Sequence, residues 1–400
     1  MARGKLFRLY RTTAAVTLNT LALLLLVNLV LGALYARADR RTAREQAPAR
    51  IPAALRDNLP KVYPGLNEAE VLALRSEMYE RTFVYEPYTE FKEPPYAGKY
   101  LNEDAHGFRL SRNQGPWPPD RGRYLTVFLF GGSTTFGFGV PDAETIASHL
   151  QELMSADGAG REVRVYNFGR ASYYSTQERI LFERLVTAGY APDLAVFIDG
   201  LNDFYYYDDR PRHADRFQRL IDNPPTTGSA LSYLAAQVPM VRAARSLKYR
   251  LARGFRGPAP TAVPDTLNDE TYNDRAVLAA VIDRYAANKK IVEAAAAASG
   301  SKVVFVWQPI PMYKYDLRYH LFAGDYYGRH AYAKFGYPLM AEFVQRNPLG
   351  DNFLWCADLQ EHAPEPLYVD ITHYSGQMSR TLAEHIFALM KERRLWPVHN

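Results

Sequence analysis

From about Tyr100 onward, continuous apolar runs alternate with segments whose apolar residues recur every three or four positions. Short apolar runs are typical of buried strands, and the second pattern is typical of helices with one apolar side. The predicted strands are YLTVFLFGG, VRVYNFG, PDLAVFIDGLND and KVVFVWQP, and the predicted helices are AETIASHLQELMSA, STQERILFERLVTAG and DRAVLAAVIDRYAANKKIVEAAAAASG. Strands that alternate with helices favour a three-layer α/β/α fold with a doubly wound parallel sheet.

Small or polar residues follow three of the four predicted strands, at Gly132-Ser133, Asn167–Gly169 and Gly200–Asn202. Ligands of doubly wound sheets bind outside the carboxyl ends of the strands. The glycine-rich stretch after the first strand suits a phosphate-binding loop, a turn that carries a nucleophile, or a simple bend. Phe138 stands where the lysine of a phosphate-binding loop would be, which argues against nucleotide binding. The convergence of the three strand ends favours a nucleophile at Ser133.

A stretch of about 25 residues without charge, Thr12–Ala36, precedes this region. As a helix it would be roughly 37 Å long, which exceeds the apolar thickness of a bilayer. The apolar part of a cleaved signal peptide is shorter, about 7–15 residues. We therefore predict a single-pass membrane anchor at 12–36, preceded by a short tail at 1–11. We expect retention of the tail and export of the rest, into the periplasm if the cell is Gram-negative.

Positive charge is concentrated at the N-terminus. Residues 1–50 contain nine Lys/Arg and two acidic residues and carry a net charge of +7, whereas the whole chain carries +5. The rest of the chain is slightly acidic and has no net basic field to attract nucleic acid. The single cysteine, Cys356, excludes an internal disulfide and a thiolate-rich zinc site. The nine histidines have no metal-ligand spacing, and neither a metal nor a cofactor is expected.

Residues 37–98 are polar and irregular, with prolines at 87, 94 and 95, and we predict a stalk that packs partly on the following domain. Within it, Asn67–Phe83 has a helical pattern, with Asn67 as the cap and Glu70 three residues later. The domain itself is predicted at 99–400. It contains an insertion at about 204–273, between the third predicted strand and the long helix.

Near the C-terminus, Asp370 and His373 stand three residues apart, just before a predicted helix. A serine nucleophile needs a base that takes its proton, and the base needs a carboxylate that fixes its tautomer. An Asp-x-x-His turn can direct the imidazole toward the carboxyl edge of the sheet while the carboxylate reaches the other ring nitrogen. The two residues are candidate partners of Ser133, with a helix-capping role as the alternative for Asp370.

Four sequence blocks in this order resemble the SGNH (GDSL-type) hydrolase superfamily: FGGSTTFG, YNFGRASYYS, DGLND and DITH. The resemblance covers roughly Asn102–Arg393 and implies a flavodoxin-like SGNH hydrolase fold and serine-dependent cleavage of ester bonds. Gly132 stands where many members have the aspartate of Gly-Asp-Ser, a residue outside the triad of the family. By position, the resemblance implies Ser133 as the nucleophile and His373 as the general base, oriented by Asp370.

The resemblance also implies an oxyanion hole. Its donors would be the backbone N–H of Ser133, the backbone N–H of Gly169 and the side-chain amide of Asn202. Such donors must be fixed before charge develops, and the loss of one costs about 2.7–4 kcal/mol. A glycine at 169 would let the backbone approach the oxyanion without a Cβ in the way. The sequence assigns no substrate-binding side chain.

We expect a membrane-anchored serine O-acyl esterase that acts on an acylated envelope glycan, or a related small ester, outside the cytoplasmic membrane. The alternative is an O-acyltransferase in which the same serine passes an acyl group to a polysaccharide, with a membrane acyltransferase partner. A non-catalytic envelope binding protein is a third possibility, against which the complete set of four blocks argues. The tyrosine-rich stretches DFYYYDD and DYYGRHAYAKFGYP, the second in a predicted loop region, suit either stacking on sugar rings or core packing.

Overall fold

The computed structural model describes residues 2–45, 51–158, 160–222, 238–253 and 269–396. Two compact units are present, one formed by Met1–Ala47 and Arg216–Ala262, the other by Pro48–Asp215 and Val263–Asn400. The helices are α1 (Ala2–Glu45), α2 (Ala53–Arg56), α3 (Leu59–Val62), α4 (Glu68–Tyr79), α5 (Ser133–Phe136), α6 (Ile146–Asp157), α7 (Ser175–Thr187), α8 (Leu201–Tyr205), α9 (Ala214–Asp222), α10 (Pro239–Arg253), α11 (Arg275–Ser299), α12 (Ala331–Arg346) and α13 (Gly376–Glu392). The strands are β1 (Val84–Glu86), β2 (Glu90–Lys92), β3 (Tyr96–Ala97), β4 (Asn102–Glu103), β5 (Tyr124–Gly131), β6 (Glu162–Asn167), β7 (Leu194–Asp199), β8 (Lys302–Trp307) and β9 (Phe353–Trp355).

The larger unit contains a five-stranded sheet in the order β6-β5-β7-β8-β9, in which every neighbouring pair is parallel. Counted along the chain, this is the 2-1-3-4-5 order of flavodoxin-like doubly wound folds. The register pairs Val127 of β5 with Val165 of β6 on one side and with Leu194 of β7 on the other. The predicted fold class is confirmed, and all four predicted strands are present.

Alternate residues of β5 point to opposite faces of the sheet, as the pleat requires. Leu125, Val127 and Leu129 belong to a largely aliphatic core that includes buried residues of α6 and α13. Phe128 and Phe130 belong to a more aromatic core that includes buried residues of α7, α11 and α12. Helices therefore cover both faces of the sheet, which gives the three predicted layers.

β9 and α12 are among the elements of the larger unit that the sequence pattern does not predict. β9 adds a fifth strand at the edge of the sheet, where it pairs with β8. α12 lies where a loop region was predicted, and it contains Pro338. Proline has no N–H and usually ends a helix, but Tyr337 and Met340 bury their side chains in the aromatic core on either side of it. Tertiary packing therefore holds this helix together across the proline.

The segment before the sheet belongs to the larger unit and contributes three helices and two short antiparallel strand pairs. The predicted capping box at the start of α4 is confirmed. The Glu70 N–H donates to Asn67 Oδ1 at 3.1 Å, and the Asn67 N–H donates to Glu70 Oε2 at 3.2 Å. The helix ends at Tyr79, a few residues before the predicted end at Phe83.

Residues of this segment share a small hydrophobic core with the loops after β5 and before α13. Val71, Leu74 and Met78 of α4 are buried there together with Phe136 and Val369. Phe136 ends the helix that begins at the predicted nucleophile, and Val369 precedes the predicted triad aspartate. Part of the predicted stalk therefore lies beside the candidate site.

The smaller unit pairs α1 with α10. Among the described residues, Gly4–Asp39 of α1 is long and apolar enough to cross a membrane, a property that anchors share with signal sequences. The backbone N–H of Met240 donates to Asn28 Oδ1 at 3.1 Å, and Arg242 forms an ion pair with Asp39 at 2.7 Å. The described part of the predicted insertion is thus largely helical.

Candidate active site

Ser133, His373 and Asp370 meet at the carboxyl end of the sheet. Ser133 is the first residue of α5, which follows β5 directly after Gly132. The Ser133 Oγ lies 2.8 Å from His373 Nε2, and His373 Nδ1 lies 2.7 Å from Asp370 Oδ2. Because an ionised carboxylate only accepts, Nδ1 carries the proton and Nε2 is left to accept from the serine hydroxyl. The three side chains have the arrangement of a nucleophile, a base and an orienting carboxylate.

The Asp370 carboxylate is surrounded by donors. Its Oδ1 accepts the backbone N–H groups of Thr372 at 3.0 Å and His373 at 2.9 Å, which closes the Asp-x-x-His turn. Burial opposes ionisation of this carboxyl, but the neighbouring His373, the Thr372 N–H and the Tyr79 hydroxyl hold the pKa of Asp370 well below its usual range. Asp370 is therefore ionised at neutral pH and can stabilise an imidazolium at His373.

Tyr79, at the end of α4, is a contact of the triad that sequence reasoning missed. Its hydroxyl donates to Asp370 Oδ2 at 2.6 Å, across 291 positions of sequence. Phe138 packs between the Tyr79 ring and the His373 ring, with centroids 4.7 Å apart in both pairs. Burial and the charge of Asp370 raise the pKa of Tyr79 well above its usual value, so the hydroxyl keeps its proton and remains a donor.

The turn that carries Ser133 has no room for a side chain at position 132. A Cβ built on Gly132 would lie 2.4 Å from Asn202 Nδ2 and 3.1 Å from the Tyr173 carbonyl oxygen. An aspartate at this position would displace the Asn202 amide from the nucleophile. On the other side of the turn, the Thr134 hydroxyl donates to the buried Gln308 Oε1 at 2.6 Å. Gln308, which follows β8, therefore stabilises the turn from within the core.

The Asn202 amide, at the start of α8, lies beside Gly132 of the serine turn. Its Nδ2 donates one hydrogen to the Tyr173 carbonyl at 2.7 Å, which fixes the amide, and the second hydrogen remains for a ligand. Asn202 and Ser133 both line the same cavity. The backbone N–H of Ser133 is at the first position of α5, where no intrahelical acceptor exists.

Gly169 does not supply a donor to this site, contrary to the prediction. Its N–H donates to the side chain of Asn167 at 3.0 Å. A Cβ at Gly169 would lie 2.4 Å from the Phe136 backbone nitrogen, so the glycine is needed where two backbone segments pack behind the nucleophile turn. Asn167 is fully buried and also donates to the Thr135 carbonyl at 3.0 Å, so it holds the loop behind the nucleophile turn.

Ser172, three residues further on, lines the cavity in place of Gly169. Its φ of 64° lies in the left-handed region, which a serine adopts only when its surroundings enforce it. The Ser172 hydroxyl accepts from Arg212 Nη1 at 2.9 Å. Within the described part of the chain, the Ser172 N–H has no hydrogen-bond acceptor.

The triad opens into a cavity of about 770 Å³. One wall comes from the segment that precedes the sheet, through Tyr79, Arg81, Phe83 and Glu93. The lining also contains Asn202, Tyr205, Tyr206, Arg212, Arg329 and His330. The lining thus combines aromatic rings with guanidinium groups.

His330 is a second histidine in the cavity wall. Its Nδ1 donates to the Tyr327 carbonyl at 3.1 Å, and its ring packs on Tyr205 with centroids 4.6 Å apart. Burial lowers the pKa of His330 to about 4, so the ring is neutral at physiological pH. The described residues contain no group of three or more His, Cys, Asp or Glu side chains that could hold a metal ion. Cys356 is buried and unbridged, and burial raises the pKa of its thiol to about 12.

No family model and no curated protein matches this chain. Solved structures that match include the lipase Lip_vut3 from a goat rumen metagenome (12% identity, TM-score 0.39, 66% of this chain and 97% of that chain). Others are a member of the lipolytic G-D-S-L family from Veillonella parvula DSM 2008 (10%, 0.33, 66% and 98%) and the esterase EstA from a Pseudoalteromonas species (10%, 0.32, 67% and 97%). These identities and TM-scores are too low to indicate a function, which is therefore argued from the geometry of the site.

Proposed function

We propose that this chain is a membrane-anchored serine O-acyl esterase that acts on an acylated envelope glycan or a related ester outside the cytoplasmic membrane. The observation that carries the proposal is the hydrogen-bonded chain from Ser133 Oγ to His373 Nε2 at 2.8 Å and from His373 Nδ1 to Asp370 Oδ2 at 2.7 Å. Ester cleavage needs a nucleophile whose proton is removed during attack, and this chain supplies the base and its orienting group.

In the proposed reaction, His373 Nε2 takes the proton of Ser133 as Oγ attacks the ester carbonyl. Asp370 stabilises the resulting imidazolium. The tetrahedral oxyanion accepts hydrogen bonds from the N–H of Ser133, the N–H of Ser172 and the side-chain amide of Asn202. His373 then gives its proton to the departing alcohol, which leaves an acyl ester on Ser133. A water molecule, deprotonated by His373, releases the acid and restores the serine.

Ser172 replaces Gly169 as the third donor in this proposal. Its left-handed backbone and its position in the cavity wall support the assignment. The N–H of Gly169 is not proposed as a donor because it already donates to the Asn167 side chain. A donor on the backbone needs no particular side chain, which is compatible with a serine at this position.

The cavity supports a substrate larger than a simple acetate ester. Its volume is about 770 Å³, and the rings of Phe83, Tyr205 and Tyr206 line it. Aromatic faces of this kind suit the apolar faces of sugar rings. The apolar helix α1 supports attachment to a membrane, where envelope glycans would be within reach.

Replacement of Ser133 by alanine tests the activity. Full-length protein in detergent should release nitrophenol from a short-chain nitrophenyl ester and should be labelled by a fluorophosphonate probe. Ser133→Ala should lose both properties while it keeps the thermal transition of the wild type, and the exposed Ser155→Ala should keep both. Wild-type-like hydrolysis by Ser133→Ala would refute the proposal. Acyl transfer to an added sugar that outruns hydrolysis would identify the enzyme as a transferase.

The orientation needs a separate test. Alkaline phosphatase fused after Asn400 should be active in the membrane fraction, because it folds only after export. A fluorescent protein that matures only in the cytoplasm should stay dark at the same position. A fluorescent, phosphatase-negative fusion would reverse the orientation, and activity in the soluble periplasm would mean that the apolar helix is cleaved.

A further inference from the structure

Arg212 is an exposed arginine that lines the cavity and has no carboxylate partner among the described residues. Arg212 Nη1 donates to the Ser172 hydroxyl at 2.9 Å, and the guanidinium lies over the Phe83 ring, 5.4 Å from its centroid. Among the described residues, no carboxylate lies within ion-pair distance of Arg212. The nearby Glu90 accepts the backbone N–H of His213 instead, at 2.9 Å.

The position of this guanidinium relates it to the chemistry. Ser172 supplies the backbone N–H that we assign to the oxyanion hole, and the next carbonyl, that of Tyr173, holds the Asn202 amide at 2.7 Å. The Arg212 guanidinium therefore contacts the residue whose backbone N–H we assign to the oxyanion hole. A guanidinium has five N–H donors, of which Ser172 uses one. Because Arg212 lines the cavity, its other four N–H groups can donate to a ligand there.

Asp370 and Arg329, two other charged groups of the cavity, already have partners. Asp370 is bound to His373 and Tyr79. Arg329 lies 3.4 Å from Asp208. Glu93 is almost fully buried, and its Oε1 accepts the Ala171 N–H at 2.8 Å.

We infer that the substrate is an ester of an acidic molecule, whose carboxylate or phosphate binds Arg212 beside the scissile ester. This inference rests on the proposed function and narrows its substrate class. Arginine is suited to the role because its planar fork binds two oxygens of a carboxylate or phosphate at once. The exposed position of Arg212 leaves water to screen part of the attraction, so we expect about a tenfold preference for the charged ester, at the lower end of charge-assisted hydrogen bonds.

The test compares three matched acetate esters: an O-acetylated methyl glucoside, the corresponding glucuronoside, and the glucoside phosphorylated on its primary hydroxyl. For full-length protein, kcat/KM for acetate release should be about tenfold higher for one or both charged esters than for the neutral one. Arg212→Gln removes the charge and leaves a shorter, uncharged polar side chain, and it should abolish this preference. Arg318→Gln removes the same charge from an exposed arginine that is paired with Asp316 outside the cavity, and it should leave the preference intact. The better of the two charged esters identifies carboxylate or phosphate as the bound group.

A binding measurement separates failure of the inference from failure of the proposed function. Ser133→Ala should bind the charged ester about tenfold more tightly than the neutral one, and Ser133→Ala with Arg212→Gln should bind both equally. Equal binding and turnover of charged and neutral esters by the wild-type chain would overturn the inference and leave the esterase intact. Equal losses for both esters in Arg212→Gln would also overturn it, since Arg212 would then act on the oxyanion or on the fold. Charge-selective binding without any Ser133-dependent turnover would support the subsite and refute the esterase.

Discussion

Tyr79→Phe is the most informative single change, because it removes one hydrogen bond from the triad and little else. The Tyr79 hydroxyl donates to Asp370 Oδ2 at 2.6 Å, while its ring packs against Phe138. Phenylalanine keeps the ring contact. Asp370 retains the N–H groups of Thr372 and His373 and the His373 imidazole as donors. The carboxylate stays ionised, but its Oδ2 is left with His373 Nδ1 as the one remaining partner among the described residues.

The expected cost follows from these partners. A hydrogen bond to a charged group is worth about 1.5–3 kcal/mol, and the remaining donors of Asp370 favour the lower end. If the loss appears mainly in the orientation of His373, kcat/KM should fall about tenfold, since about 1.4 kcal/mol corresponds to a factor of ten. The decrease should remain far below the roughly 10⁴-fold loss expected when the orienting carboxylate itself is neutralised.

The same change should alter acid stability in a defined direction. Because the folded-state pKa of Asp370 is held below its unfolded value, its stabilisation is present at neutral pH and is lost as pH falls through the folded pKa. The stability difference between Tyr79→Phe and the wild type should therefore be full at pH 7 and should shrink only below about pH 4.

Tyr63→Phe is the matched control. Tyr63 is buried in the same small core and donates to the Gly139 carbonyl at 2.9 Å, without a bond to Asp370. Both variants should lose stability, measured by urea unfolding, but only Tyr79→Phe should lose kcat/KM on a nitrophenyl ester. Equal activity of the two variants, within about twofold, would refute a role of Tyr79 in orienting the triad.

Three further predictions concern the site and its support. Asn202→Ala should lower kcat by about 10²–10³ with little change in KM, and a pure KM effect in steady-state kinetics would mean that Asn202 binds substrate only. Gly169→Ala should yield unstable or insoluble protein, because the new Cβ would meet the Phe136 nitrogen at 2.4 Å; a normal melting temperature would contradict that packing. Burial lowers the pKa of His149 and of His320 to about 4. The free energy of unfolding should therefore be unaffected by these histidines above their unfolded pKa of about 6.5, and it should decrease as pH falls from 6.5 toward 4. Urea unfolding should report a loss of about 1.4 kcal/mol per pH unit for each of these histidines over that range, and flat stability would exclude their burial.

The parts of the fold that sequence could predict are those with strong local patterns. Each predicted strand is an apolar run, and each is present in the sheet. The edge strand β9 has only three residues, too few for a pattern. The pattern does not predict α12 because Gly336 and Pro338 interrupt it. The helix is stabilised by the burial of Tyr337 and Met340 in the aromatic core.

In the candidate site, too, the sequence predicts contacts between residues that are close along the chain and misses those that depend on tertiary packing. Asp370 and His373 are close in sequence, so their pairing could be expected from spacing. The contact from Tyr79 spans 291 positions and depends on how α4 packs, which no local signal reports. The resemblance implies Gly169 as an oxyanion donor, and glycine permits close approach, but the close approach that it serves is backbone packing behind the turn. Ser172 adopts the left-handed conformation that sequence rules reserve for glycine, so its type gave no warning.

The placement of α4 has a practical consequence for producing a soluble form of this protein. A truncation that follows the sequence motifs would begin near residue 99, where the predicted domain starts. It would keep the sheet, the serine and the histidine, yet it would delete Tyr79 and the cavity wall that carries Arg81, Phe83 and Glu93. Such a fragment would expose the small core around Phe136 to water and leave the triad carboxylate without one of its donors. A secreted version should therefore start no later than Ile51, whose side chain is already buried in that core.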